Sequence, residues 1–281
     1  MNRRKVIINA CLTGMVPTKE LNPHTPISPE EIITCALHCA DLGASIIHLH
    51  ARGTDEKPTW KKEVYAEIIR GIRKVNPDLI LVVSTSGRNW SEFEKRSECL
   101  ELDGDLKPDM ASLTLGSMNF INQESVNSPE MIEKLALKMQ EKNIKPEIEI
   151  FEPGMLHKAN YLISRGIIKD ENPYFNILLG SLGTAPLDAA SFTAVQYLLP
   201  ENAVWSVAGI GAYQLDANVM GLSLGGGVRI GLEDNVYFDR EKQKLASNEE
   251  LIGRIAGIIK TMGLEIASPV EAREMLNLAK K

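Results

Sequence analysis

The sequence predicts a TIM (β/α)8 barrel, in which eight parallel strands are ringed by helices, with one helix added at the C-terminus. Short apolar segments alternate with helical segments eight times along the chain. The chain has 281 residues, which suits a barrel of roughly 250 residues and one further helix. A doubly wound open sheet is the alternative fold, but no Gly-x-Gly-x-x-Gly motif follows the first strand.

The first half of the chain contains four predicted strand–helix pairs. Ser28, followed by Pro29, is typical of the start of a helix, and Pro77 marks the end of the next one. The predicted strands are 6–12, 45–50, 79–84 and 110–115, and the predicted helices are 29–42, 61–75, 92–102 and 129–142.

The second half repeats the pattern four times and then adds a helix. The loops are short and no linker-like or low-complexity stretch interrupts them, which predicts a single domain over residues 1–281. The predicted strands are 147–151, 174–179, 203–208 and 227–231, and the predicted helices are 155–165, 187–198, 213–223, 248–262 and 270–279.

Composition limits the classes of partner. A hydrophobic content of 44% and a charged content of 24% are typical of a soluble globular protein. The net charge of −6 and the absence of a basic run argue against a nucleic-acid partner. No stretch reaches the roughly 18 apolar residues that a membrane span needs. The four cysteines suggest no disulfide framework, so we expect a reduced, cytoplasmic protein.

Two histidines close the second predicted strand. Because side chains alternate along a strand, His48 and His50 point to one face and Ile47 and Leu49 to the other. Two imidazoles so close together suit a divalent metal. A polar pair where a strand meets solvent is the plainer interpretation. Because the chain has only 5 histidines, two of them at alternate positions of one strand end favour a metal site.

The same alternation selects other inward-facing polar residues. Glu147 and Glu149 face the barrel interior on the fifth strand, where carboxylates are costly unless they are paired or bind something. Ser84, Ser112 and Thr13 face inward near the ends of the third, fourth and first strands. Active sites of such barrels lie at these carboxyl ends, so all five are candidate site residues.

The eighth strand supplies a third possible ligand. Arg229 and Glu233 share a face, and the eighth, first and second strands are neighbours in a closed barrel, so Glu233 can reach the space above the histidines. Two histidines and one carboxylate leave open positions on a catalytic zinc. Arg229 lies deeper and suits a substrate carboxylate. Asp234 is either a base or the ionic partner of Arg229.

Five segments together resemble the β-keto acid cleavage enzyme family. The resemblance covers essentially the whole chain, and the His-Leu-His and Gly-Leu-Glu-Asp-Asn segments are its most specific parts. The segments are Asn9-Ala10-Cys11-Leu12-Thr13-Gly14, Ile47-His48-Leu49-His50-Ala51-Arg52, Ser84-Thr85-Ser86-Gly87, Pro146-Glu147-Ile148-Glu149 and Arg229-Ile230-Gly231-Leu232-Glu233-Asp234-Asn235.

The resemblance implies that the protein is an enzyme, that it forms a homotetramer and that each chain binds one Zn²⁺. Such an enzyme condenses a β-keto acid with acetyl-CoA to give acetoacetate and a new acyl-CoA. The implied zinc ligands are His48, His50 and Glu233. The residues implied in the reaction are Arg229, Asp234, Glu149 and Ser84, with the choice of base between Asp234 and Glu149 left open. The expected substrate contacts are Ser84, Gly87, Ser112, Thr13 and Val16.

Val16 marks a departure from part of the family. In members that act on an amino-substituted keto acid, a Glu just after the first-strand Thr-Gly contacts the substrate amine. Here Thr13-Gly14-Met15-Val16 places an apolar residue at that position. An ammonium group would lose a partner there, so we expect a β-keto acid with an uncharged tail, such as a short alkyl chain.

Two other functions are compatible with parts of the pattern. One is a metal-dependent amidohydrolase-like hydrolase, although in that group the His-x-His lies on the first strand and later histidines complete the site. The other is a non-catalytic ligand-binding barrel, which would carry no metal and would not need inward Glu147, Glu149 and Arg229.

Overall fold

The computed structural model describes residues 4–280, and in it eight parallel strands close into a barrel. Each strand pairs with the next along the chain, and the last pairs with the first through Val228 and Ile8. The TIM-barrel prediction is therefore confirmed. The strands are β1 Ile8–Cys11, β2 Ile46–Leu49, β3 Ile80–Val83, β4 Met110–Thr114, β5 Lys145–Ile150, β6 Tyr174–Leu179, β7 Val204–Gly209 and β8 Gly227–Ile230.

Nine α-helices of the described part of the chain surround the barrel, and serine caps begin several of them. The Ser28 side chain accepts a hydrogen bond from the Glu31 N–H while the Glu31 carboxylate accepts one in return, a reciprocal cap that fixes the start of the helix. The helices are α1 Pro29–Asp41, α2 Lys62–Val75, α3 Phe93–Ser97, α4 Pro129–Lys142, α5 Pro153–Ser164, α6 Ala189–Leu198, α7 Gln214–Ser223, α8 Asn248–Thr261 and α9 Pro269–Met275.

The third predicted helix is wrong in extent. It is α-helical only over Phe93–Ser97 and continues as the 3₁₀ helix Glu98–Glu101. Glu92 precedes it without a capping hydrogen bond from its side chain, and the buried Arg96 reaches out of the helix to the Thr85 carbonyl oxygen. Contacts with neighbouring loops, rather than helical periodicity, therefore set this segment.

The two ends of the described chain also differ from the prediction. Lys5–Val6 pairs with the strand Glu265–Ile266, so the predicted first strand is split and a short strand precedes the last helix. Helix α9 ends at Met275, and Asn277 takes a left-handed conformation with φ of 52°, which stops a further helical turn.

Side chains alternate around the barrel as the parity argument predicts. Ile47 and Leu49 pack in the large layer between strands and helices, whereas Ile46 belongs to a smaller apolar cluster. That cluster includes Ala272 of α9. Helix α9 therefore covers the barrel end opposite the strand carboxyl ends. Within residues 4–280, no helix has the length and apolarity required to span a membrane.

Two short hairpins lie beyond the carboxyl ends of the strands, and the sequence did not predict them. Ala51–Arg52 pairs with Pro58–Thr59 after β2, and Met118–Asn119 pairs with Glu124–Ser125 after β4. Strands of two residues are too short to leave a periodic signal. Both hairpins lie on the side where barrel enzymes carry their active sites.

Candidate active site

The structure brings the two histidines and Glu233 together. The Nε2 atoms of His48 and His50 lie 3.3 Å apart, and Glu233 Oε1 lies 3.3 Å from His50 Nε2. One ligand atom from each of the three residues lies within 4.8 Å of the others. All three residues predicted as metal ligands thus converge on one point.

Glu147 orients His48 from the opposite side. Its Oε2 lies 2.6 Å from His48 Nδ1, and its Oε1 accepts a hydrogen bond of 2.7 Å from the Asn9 amide. With Nδ1–H donating to this carboxylate, the Nε2 atom of His48 is directed at the convergence point. The inward Glu147 predicted from strand parity therefore positions His48 rather than lining the cavity.

Electrostatics at the convergence point favour a cation. Burial acts to lower the pKa of His48, but the carboxylates of Glu147 and Glu233 outweigh it and raise that pKa to about 9. Burial acts to raise the pKa of Glu233, yet His50, His48 and Arg229 hold it well below its ordinary value. Burial lowers the pKa of His50. The site holds an ionised carboxylate, and a proton on His48 provides part of the balancing positive charge.

The donor set fits a zinc ion. Glu233 Oε2 is buried and has no hydrogen-bond partner within the described chain, which is costly unless an ion occupies the space beside it. Two imidazole nitrogens and one carboxylate oxygen are the ligands of many catalytic zinc sites with open positions. A second grouping, His48 with Glu147 and Glu149, also lies within 4.8 Å, but the short Glu147–His48 contact already engages Nδ1 there.

Arg229 is surrounded by carboxylates. Its Nη1 donates to Glu149 Oε1 at 2.9 Å, its Nη2 to Glu233 Oε1 at 3.0 Å, and its Nε to Asp234 Oδ2 at 3.1 Å. The side chain is buried, and these ion pairs raise its pKa well above the ordinary value against the effect of burial. The expectation that Arg229 offers a free fork to a substrate carboxylate is therefore wrong: it holds three protein carboxylates in place.

The two candidate bases differ in how firmly they are held. Glu149 accepts 2.6 Å and 2.9 Å hydrogen bonds on its two oxygens, from Thr114 and Arg229. Asp234 interacts with Arg229 at 3.1 Å and 3.4 Å. Burial raises the pKa of Asp234, with Arg229 opposing that effect. The raised pKa of Asp234 suits a proton acceptor, and Glu149 is the carboxylate held by the shorter hydrogen bonds.

A cavity of 430 Å³ joins these groups. Its wall carries His48, His50 and Glu233 together with Arg229 and the two candidate bases. The predicted Ser84 and Val16 also line it, and Val16 is 51% exposed at its mouth. Much of the remaining wall is apolar: Met15, Met118, Phe120, Ile121, Phe151, Leu178 and Ile210.

Three predicted substrate contacts do not reach the cavity wall. The Thr13 hydroxyl donates to the Pro26 carbonyl oxygen, and the Ser112 hydroxyl accepts from the Thr85 N–H. Gly87 is buried where an added Cβ would lie 2.4 Å from the Val126 carbonyl oxygen. Strand parity correctly places Ser112 and Thr13 inside the protein, but local hydrogen bonds occupy their hydroxyl groups.

Arg88 is a cavity residue that the sequence interpretation missed. Its guanidinium carbon lies 4.1 Å from the centroid of the Phe120 ring, and both residues line the cavity. The signal in the sequence was weak: Arg88 follows the Ser-Thr-Ser-Gly segment after β3, on a loop that periodicity cannot describe.

Comparison with known proteins shows the family of this chain. The family model described as beta-keto acid cleavage enzyme matches residues 5–278. A 3-keto-5-aminohexanoate cleavage enzyme of Fusobacterium nucleatum subsp. nucleatum is 39% identical over 98% of this chain and 99% of its own length. A 3-oxoadipate:acetyl-CoA acetyltransferase of Cupriavidus necator is 36% identical over 97% of this chain and 94% of its own length.

Solved structures agree on the fold. The apo structure of ObcA superimposes with a TM-score of 0.79 at 21% identity, over 91% of this chain and 66% of that one. Neither of the alternatives, a hydrolase or a non-catalytic barrel, finds support among the relatives. The family model spans nearly the whole chain, including the convergent histidines and the Arg229 cluster, so the chain belongs to the β-keto acid cleavage enzyme family.

Proposed function

We propose that the protein condenses a β-keto acid with acetyl-CoA and releases acetoacetate and a new acyl-CoA. The observation that carries this proposal is the shared cavity, in which the His48–His50–Glu233 grouping lies beside Arg229 and Asp234. The histidine–glutamate grouping suits a carbonyl oxygen, and Asp234 beside Arg229 suits an acidic C–H bond. A β-keto acid presents these two features side by side.

His48, His50 and Glu233 would hold one Zn²⁺ per chain. When bound, the ion polarises a carbonyl oxygen as a Lewis acid. Glu147 keeps the His48 ring in the orientation and tautomer that a ligand requires. Arg229 keeps the Glu233 carboxylate ionised and in place.

Asp234 is the proposed base. It takes a proton from C2 of the β-keto acid, and C2 then forms a bond to the carbonyl carbon of acetyl-CoA as the CoA thiolate leaves. The thiolate attacks the original C3 carbonyl, the C2–C3 bond breaks, and acetoacetate regains the proton from Asp234. Arg229 stabilises the ionised form of Asp234 that exists before the first proton transfer and after the last.

The substrate is proposed to carry an uncharged tail. Val16 lies at the cavity mouth, and the neighbouring wall contains the apolar Met15, Ile121 and Ile210. An alkyl tail gains contact with this wall, whereas an ammonium group would be desolvated there without a partner. 3-Oxohexanoate, whose products would be butyryl-CoA and acetoacetate, is the first substrate to test.

The test combines the purified zinc-loaded protein with acetyl-CoA and 3-oxohexanoate. We expect acetoacetate and butyryl-CoA in equal amounts, and neither product with Glu233→Gln, because that change removes a ligand charge. Turnover and zinc retention by Glu233→Gln would contradict the assignment. The proposal also includes a homotetramer, on the strength of the family resemblance, which sedimentation analysis tests. It further includes a cytoplasmic location, which the four cysteines favour.

A further inference from the structure

Arg88 and Arg229 are the arginines that line the cavity, and among the described residues the Arg88 guanidinium has no polar partner, in contrast to Arg229 and to Arg52 and Arg96 outside the cavity wall. Arg229 is held by three carboxylates, and Arg52 donates to the carbonyl oxygens of Gly14 and Pro17. Arg96 donates to the Thr85 carbonyl oxygen. Within residues 4–280, the Arg88 guanidinium has a contact with the face of Phe120 but neither a hydrogen bond nor an ion pair.

The position of Arg88 is nevertheless fixed. Its backbone N–H donates to Ser86 Oγ at 3.3 Å, and its carbonyl oxygen accepts from the Gln123 amide at 3.4 Å. Phe120 beneath it packs edge-on against Phe151, with ring centroids 5.7 Å apart. The guanidinium is therefore stacked on a supported aromatic surface, with its N–H donors left for a ligand in the cavity.

The charges of the cavity show what that ligand must be. Glu149, Glu233 and Asp234 line the wall, and the nearby Arg229 is fully engaged with them. An anionic ligand that enters this acidic cavity would find no unpaired positive charge on Arg229, because three carboxylates already neutralise that side chain. Arg88 supplies one, since an arginine stays protonated at neutral pH even where burial lowers its pKa, as it does here.

We propose that Arg88 binds the carboxylate of the β-keto acid. The planar fork matches a carboxylate, and the cavity wall that holds Arg88 also holds the histidines and Asp234, so one small molecule can contact all of them. This inference rests on the proposed function. The phosphates of CoA are a second possible source of anionic oxygens, and the experiment distinguishes the two.

The experiment measures ligand binding to the zinc-loaded protein by calorimetry. Acetoacetate carries the carboxylate and the β-keto group, and acetoacetamide has the same shape without the charge. For Arg88→Gln we expect the Kd of acetoacetate to rise about 10- to 100-fold, as expected for a lost hydrogen bond to a charged group, and that of acetoacetamide by less than about threefold. Arg88→Lys should recover part of the loss. Arg70→Gln, at an exposed position of α2, is the control for charge.

Three results would overturn the inference. Equal weakening of both ligands would show a general loss of structure, and unchanged acetoacetate binding would show that Arg88 does not hold the carboxylate. Weaker binding confined to acetyl-CoA, titrated in the same way, would assign Arg88 to the CoA phosphates instead. If wild-type protein binds acetoacetate but forms no acyl-CoA, the proposed function fails while the assignment of Arg88 stands. If the wild type does not bind acetoacetate at all, both fail.

Discussion

His48 Nδ1 lies 2.6 Å from Glu147 Oε2, and both side chains are buried inside the barrel. This contact sets which nitrogen of His48 faces the cavity. Glu147→Gln keeps the shape but loses the charge, so we expect the zinc affinity to fall roughly 10- to 100-fold. A chelator competition measures it, with the exposed Glu152→Gln as control. An unchanged affinity would show that the contact does not support metal binding.

The pH dependence of zinc binding follows from the same contact. Since the pKa of His48 is raised to about 9, its proton must leave when the metal binds. The apparent zinc affinity should therefore rise about tenfold per pH unit from roughly pH 7 and level off near pH 9. Calorimetry in buffers of different ionisation enthalpy measures the proton released. A flat affinity over this range would contradict the raised pKa.

The metal-free protein should show the opposite trend in stability. The raised pKa means that the charged His48 stabilises the folded state fully below its ordinary value of 6.5 and that this contribution is lost as the pH rises through about 9. Thermal unfolding of the metal-free protein between these limits should show a falling Tm, and the slope should diminish in Glu147→Gln.

Substitutions of Asp234 and Glu149 test which of the two carboxylates is the base. Asp234→Asn should lower kcat roughly 10²- to 10⁴-fold, the usual contribution of a positioned base. It should also abolish enzyme-dependent exchange of the C2 protons of 3-oxohexanoate in deuterated water. Glu149→Gln should slow turnover yet retain exchange, because Glu149 acts on Arg229. Zinc content serves as the control, and retained exchange in Asp234→Asn would assign the base elsewhere.

Specificity for the substrate tail should depend on Val16. Val16→Glu introduces a carboxylate at the cavity mouth, where the wild-type side chain is 51% exposed. We expect the ratio of kcat/KM for 5-amino-3-oxohexanoate over 3-oxohexanoate to increase by about 10-fold or more, from a new hydrogen bond to a charged group. Val16→Gln is the uncharged control. A wild-type preference for the amino substrate would refute the proposal of an uncharged tail.

Regular periodicity explains why so much of the fold and site could be predicted. Eight strand–helix repeats predict a closed barrel, and closure makes β8, β1 and β2 neighbours. Alternation along a strand then places His48 and His50 on one face, which Glu233 reaches from the end of β8. Each step uses a general structural rule, so the convergence of the three proposed metal ligands could be predicted without coordinates.

Loop geometry and side-chain direction explain what was missed. Parity places Arg229 inside the barrel, but it does not reveal that three carboxylates surround the guanidinium. Parity likewise cannot show that the Thr13 hydroxyl turns to the Pro26 carbonyl oxygen. Arg88 lies on a loop, where sequence position does not predict the direction of a side chain. Phe120, which supports Arg88, lies in a hairpin whose strands have two residues each.

The central claim is a carbon–carbon exchange between two substrates, and isotope labelling tests it most directly. The zinc-loaded protein would be given 3-oxohexanoate and acetyl-CoA labelled with ¹³C in both acetyl carbons. We predict acetoacetate labelled at C3 and C4 together with unlabelled butyryl-CoA, because C1 and C2 come from the keto acid. Label in butyryl-CoA, or free CoA and acetate as the only products, would contradict it.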